Sequence, residues 1–124
     1  MSKKLTIGMA VYDDFNGAYF SLQAARLYHP EVFDDLEFII LDNNPYSAHG
    51  KELKGFVEQH LRDSNDKPNG RYIPITDKVS TSIRDKTFTE SNTPYTLNMD
   101  CHVLVAPGAF KKLIDFYEDY IYRR

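Results

Sequence analysis

The stretch LTIGMAVY, Leu5 to Tyr12, decides the fold. Leu5, Ile7, Met9 and Val11 alternate with Thr6, Gly8, Ala10 and Tyr12, a period-two pattern whose second face carries small or modest residues. The alternation predicts a buried strand over 5–12. Asp13-Asp14 closes it, and Phe15, Ala18, Leu22 and Ala25 then recur at helical spacing, the apolar stripe of a helix lying on a sheet. Pro30 is expected to stop that helix a residue or two early, because the residue before a proline is pushed out of the helical region.

Working outward, LEFIIL at 36–41 is a near-continuous apolar run ending in the turn cluster Asp42-Asn43-Asn44-Pro45, which predicts a second strand covered on both faces. Leu53, Phe56, Val57 and Leu61 mark a second helix, residues 62–71 read as an exposed loop, and 71–75 as a short third strand. Weaker periodicity over 79–89 predicts a short, partly exposed helix around 82–88. Pro94 precedes a fourth strand at 95–99, which runs into Asp100-Cys101-His102 and the apolar Val103-Leu104-Val105. Pro107 marks the start of a last helix with Phe110, Leu113, Ile114, Tyr117 and Ile121 on its buried side, and Arg123 and Arg124 suit the negative end of its dipole. Strands alternating with helices imply right-handed crossovers and an α/β, mostly parallel, doubly wound sheet with flanking helices, a single domain over 1–124.

Composition narrows the function. Lys and Arg number 15 against 18 Asp and Glu, a net charge of -3, which argues against a protein that coats nucleic acid and must neutralise phosphates. The one cysteine, Cys101, excludes a disulfide scaffold and points to a reduced, cytoplasmic setting. The basic MSKK start is followed by an apolar stretch broken by Thr6 and Gly8 and lacking a small-residue cleavage site, so no signal peptide or transmembrane segment is read.

In doubly wound sheets ligands sit outside the carboxyl ends of the strands, where Asp13, Asp14, Asp42 and Asp100 all fall. The first turn, YDDFNGAY, contains neither the G-x-G-x-x-G of dinucleotide sites nor a P-loop. Carboxylates cannot bind a diphosphate directly. They can hold a divalent cation that does, or accept hydrogen bonds from base N–H and ribose hydroxyl groups, which makes a coherent nucleotide site.

Three segments, LTIGMAVYDDF, FIILDNN and MDCHVLVAPGAFKKLIDFY, resemble the family 2-like glycosyltransferases of the GT-A fold along essentially the whole chain. The resemblance implies that Tyr12 and Asp13 or Asp14 flank the base and ribose of a nucleotide-sugar donor, a UDP-sugar first, and that Asp42 faces the base. It implies that Asp100 and His102 form a D-x-H metal motif, and that Arg84 or Lys86 lines the nucleotide. Histidine in place of the usual second aspartate shifts the preference toward ions that accept imidazole, Mn²⁺ before Ca²⁺, with Mg²⁺ the other expected cofactor. If 100–102 stays extended, Asp100 and His102 project to one side and reach one ion while Cys101 points away. Such an ion neutralises charge on the leaving diphosphate. The family's acceptor-binding half, which supplies the catalytic base, would follow the last helix, so the catalytic residue and the acceptor are unassigned.

Each feature also has a plainer reading. Asp13-Asp14 suits an N-cap and first-turn acid, Asp42-Asn43-Asn44-Pro45 suits a turn, and His102 suits a hydrogen-bonded histidine. Cys101 reads as a small hydrophobe with no nucleophilic role, and His29, His49 and His60 as surface residues. Tyr117, Tyr120 and Tyr122 read as cover for the core or for an adjoining domain. The alternative function is a non-catalytic binding or assembly module that docks, on a partner or a second copy, through the last helix. A nucleotidyltransferase is disfavoured because its Gly-rich basic loop is missing from YDDFNGAY.

Overall fold

The computed structural model describes residues 3–77 and 81–122. Four strands form one parallel sheet: β1 (Leu5–Val11), β2 (Leu36–Asp42), β3 (Gly70–Pro74) and β4 (Tyr95–Asn98), in the spatial order β3-β2-β1-β4. The register sets Val11 beside Asp42 and Asp42 beside Pro74, so all four carboxyl ends share one edge. The helices are α1 (Phe15–Tyr28), α2 (Ala48–His60), the short α3 (Lys86–Glu90), preceded by a 3-10 turn at Thr81–Asp85, and α4 (Ala109–Tyr122).

Alternation in β1 and β2 sorts the core into two layers. Leu5, Ile7, Met9, Val11, Leu36, Phe38 and Ile40 pack with Leu22 of α1, Leu53 and Val57 of α2, and Phe110 and Ile114 of α4. On the other face Ile39 and Leu41 meet Ile75 and Ile83. Helical segments cover both faces, the doubly wound arrangement that alternating elements require. Every residue of β2 is buried, as its unbroken apolar run demands. Each such Leu, Ile or Phe contributes about 1.5–3 kcal/mol through removal of its surface from water.

Small residues on the second face of β1 have a packing reason. A Cβ at Gly8 would lie 2.6 Å from Cγ2 of Thr87, so glycine there lets α3 close on the sheet. Glu37, the acid near the start of β2, is satisfied where it is buried: Thr6 donates its hydroxyl at 2.8 Å, Asn92 donates its side-chain amide at 3.2 Å, and Arg71 pairs with it at 3.3 Å. That network lies toward the amino end of the strands, away from the edge that gathers their carboxyl ends.

The four strands, α1 and α4 appear within a residue or two of their expected bounds, with α1 ending at Tyr28, two residues before Pro30, whereas the helix expected around 82–88 is a 3-10 turn at Thr81–Asp85 followed by the short α3. Two local expectations are corrected. His29 is buried, not exposed: its ring packs 4.4 Å from that of Phe110, and its Nε2 lies 2.9 Å from the Val105 carbonyl. The segment after β4 is not extended, because Cys101 and His102 form a turn in which His102 takes a left-handed φ of 66°. Residues 79 and 80 of the predicted 79–89 segment, Arg123, Arg124 and the side chains of Ile121 and Tyr122 lie outside the described residues.

Candidate functional site

Strand order places the topological switch between β1 and β4: the chain moves from β1 outward to β2 and β3, then returns to the far side of β1. Crevices at such points, outside the carboxyl ends, are where open α/β sheets bind ligands. Here β1 leaves through Tyr12-Asp13-Asp14 and β4 leaves through Met99 to His102. Asp13, at φ 50°, and His102 are both non-glycine residues in the left-handed region, held there by the turns that carry the chain off the sheet.

Asp14 joins the two exits. As N-cap of α1 its Oδ1 accepts the Gly17 N–H at 2.9 Å, satisfying one of the free donors of the first turn. Its Oδ2 meets Nε2 of His102 and accepts from the Cys101 thiol at 3.5 Å. The His102 N–H in turn donates to the Gly17 carbonyl at 3.1 Å, and the Val103 N–H donates to the Ser21 hydroxyl at 2.8 Å. Gly17 is a requirement of this arrangement, since a Cβ there would stand 2.5 Å from Asp14 Oδ2 and collide with the His102 ring.

Burial alone would raise the Asp14 carboxyl, but the Gly17 N–H, then His102 and Cys101, hold it below the ordinary carboxylate value. Burial first, and then the Asp14 charge and hydrogen bond, push the Cys101 thiol up to about 11. Cys101 is therefore a protonated donor at neutral pH, in keeping with its expected lack of a nucleophilic role.

Beside this cluster Arg84, from the 3-10 turn before α3, reaches Oδ1 of Asp100 at 2.5 Å. Both side chains remain substantially exposed, so the pair adds little to stability and keeps a guanidinium at the crevice. Tyr12 is 61% exposed and Asp13 is exposed, at the same strand end. Five of the expected residues, Tyr12, Asp13, Asp14, Asp100 and His102, thus flank the switch point, with Arg84 tied in through Asp100. Asp100 and His102 do not share a point, however: the turn sends one to Arg84 and the other to Asp14.

Asp42 departs from expectation. It is 0% exposed, its Oδ1 accepts the Asn44 N–H at 2.9 Å, and its Oδ2 takes the hydroxyl of Tyr72, itself buried in β3. A Cβ at Gly50 would lie 2.9 Å from that Oδ2, so the first turn of α2 seals the carboxylate off. Asp42 does not present its carboxylate to the crevice, because the side-chain alternation that buries Phe38 and Ile40 also turns residue 42 under α2. Sequence reading missed Tyr72, Gly17 and Cys101 as participants. Only Gly17 left a signal, as a poor helix former in the first turn of a helix.

The donor set fits a divalent ion. Asp14, Cys101 and His102 each offer one ligand atom, and these atoms lie within 4.8 Å of one another. Among the described residues no helix is long and apolar enough to cross a membrane.

No protein-family model matches the sequence, and no curated protein matches it at a significant level. Solved structures do share its fold. S. aureus TarS 1-349 in complex with UDP-GlcNAc superposes with a TM-score of 0.69 at 10% identity, covering 94% of this chain and 31% of that one. S. aureus TarS 1-349 in a second crystal structure gives a TM-score of 0.68 at 11% identity, over 94% and 32% of the two chains. The chain therefore spans about a third of the length of the structures it resembles.

Proposed function

We propose that this chain binds a nucleotide-sugar donor, a UDP-sugar first, in the β1/β4 crevice, as the donor-binding part of a GT-A-type glycosyltransferase. The observation that carries the reading is the meeting of the two strand exits, Asp14 against His102, beside the Arg84–Asp100 pair at the switch point. The fold shared with a protein that holds UDP-GlcNAc supports it.

In this reading the exposed Tyr12 ring offers a face for the base, Asp13 accepts ribose hydroxyls, and Arg84, positioned by Asp100, attracts the diphosphate. His102 with Asp14 would hold Mn²⁺ or Mg²⁺ in place of the expected Asp100–His102 pair, and an imidazole ligand favours Mn²⁺. When bound, that ion acts as a Lewis acid on the diphosphate. Sugar transfer to an acceptor hydroxyl needs a base to take the hydroxyl proton, and no residue of this chain is assigned that role.

Calorimetric titration with UDP, UDP-GlcNAc and GDP, each with and without Mn²⁺, is the test. Metal-dependent binding weakened by Arg84→Ala and Asp100→Ala is expected. No metal-dependent heat with any of the three would overturn the reading. The alternative, a non-catalytic assembly module, draws support from the exposed rings of Phe116, Tyr117 and Tyr120 on α4, and predicts association that survives both chelator and Asp100→Ala.

A further inference from the structure

Cys101 is the residue that a D-x-H reading leaves over, and the structure turns it inward toward Asp14. We propose that Asp14, Cys101 and His102 form a site for a thiolate-accepting metal ion, Zn²⁺ in first place, that fills without any nucleotide. The inference goes beyond donor binding and stands on the ligand geometry alone.

Three ligand types, carboxylate, thiol and imidazole, converge from two loops that the chain places far apart in sequence. The Cys101 Sγ to Asp14 Oδ2 separation is 3.5 Å. Tetrahedral zinc with bonds of about 2.3 Å to sulfur and about 2.0 Å to oxygen sets its sulfur and oxygen ligands roughly 3.5 Å apart. The His102 side chain is largely exposed, so its ring is free to swing away from Asp14 and admit an ion between them. Three protein ligands leave a fourth position for water or a ligand atom.

The frame around the donors is already fixed. Gly17 N–H holds the other Asp14 oxygen, the Gly17 carbonyl holds the His102 N–H, and Ser21 holds the Val103 N–H. Position 17 is bare of a side chain where any Cβ would occupy the space of the imidazole. His102 keeps a left-handed backbone, a conformation sparsely populated by non-glycine residues. As the S–Zn bond forms the thiol proton leaves to solvent, and the ion staples the exit of β1 to the exit of β4. Mg²⁺, which demands oxygen ligands, does not suit this set.

The test uses the full chain, stripped with chelator and titrated with Co²⁺ and then Zn²⁺ in the absence of nucleotide. The expected result is a near-ultraviolet thiolate-to-cobalt charge-transfer band that Zn²⁺ bleaches, present in wild type and Asp100→Ala and absent in Cys101→Ser. Asp14→Asn, which keeps the helix cap, and His102→Ala should each weaken Zn²⁺ binding at least about tenfold. Zn²⁺ should raise the melting temperature of wild type and not of Cys101→Ser, with circular dichroism showing each variant folded. No band in the folded wild type overturns the proposal, as does Zn²⁺ affinity that falls with Asp100→Ala and not with Cys101→Ser. Since no arm contains nucleotide, failure here is distinct from failure of UDP binding.

Discussion

Replacing Asp42 should cost this fold much of its stability, although a family resemblance points to the same residue as a nucleotide contact. Asp42 is fully enclosed, with Tyr72 donating to one oxygen and the Asn44 N–H to the other. In Asp42→Ala the Tyr72 hydroxyl is left buried without an acceptor, at about 1–3 kcal/mol, and the turn after β2 loses a further hydrogen bond of about 1 kcal/mol. The expected loss is therefore about 2–4 kcal/mol, a large part of the roughly 5–15 kcal/mol that holds a domain together. Tyr72→Phe strips one donor from a buried carboxylate and should cost about 1.5–3 kcal/mol. Both substitutions delete the same bond, so the double variant should lose less than the sum of the two by about 1 kcal/mol or more. Urea denaturation followed by circular dichroism gives all four corners of the cycle. An Asp42→Ala loss under about 0.5 kcal/mol, the range of ordinary surface substitutions, would refute the reasoning. So would strict additivity with Tyr72→Phe.

Other outcomes follow from the same geometry. Burial, and then Asp42, hold the Tyr72 hydroxyl protonated above the ordinary tyrosine range. Its folded pKa exceeds its unfolded value of about 10, so its contribution is fully present below pH 10 and is lost as pH rises further. Melting temperature should therefore fall more steeply above pH 10 in wild type than in Tyr72→Phe. Gly8→Ala, which drives a Cβ into Thr87, should cost about 1–3 kcal/mol by denaturant titration. Phe38→Ala, at the centre of the larger core, should cost about 3–5 kcal/mol by the same measurement. Lys54→Ala, which breaks an exposed pair with Glu58, should change stability by under about 0.5 kcal/mol, and a larger loss would mean the pair does more than its exposure allows.

Where the sequence was legible, local periodicity governed. Leu5 to Val11 and Leu36 to Leu41 can be placed as strands because alternation and continuous apolar runs state which faces are covered. Phe15, Ala18, Leu22 and Ala25 likewise state a helix that lies on a sheet. His29 was misread because its helix-end position and neighbouring Pro30 look like surface, and only the approach of Phe110 and Val105 encloses it. Asp42 was misread for a related reason: its turn sequence is ordinary, and the partner that buries it, Tyr72, comes from another strand.

By itself, then, the sequence determined the elements, the α/β class and the row of acids at the strand ends, because period and turn chemistry act between near neighbours. Tertiary structure alone decided which acids face the crevice. Asp14 meets Cys101 and His102 across 87 and 88 residues of chain. No local pattern encodes that contact. It exists because a parallel sheet in the order β3-β2-β1-β4 sets the exits of β1 and β4 side by side, and because Gly17 leaves room for an imidazole between them.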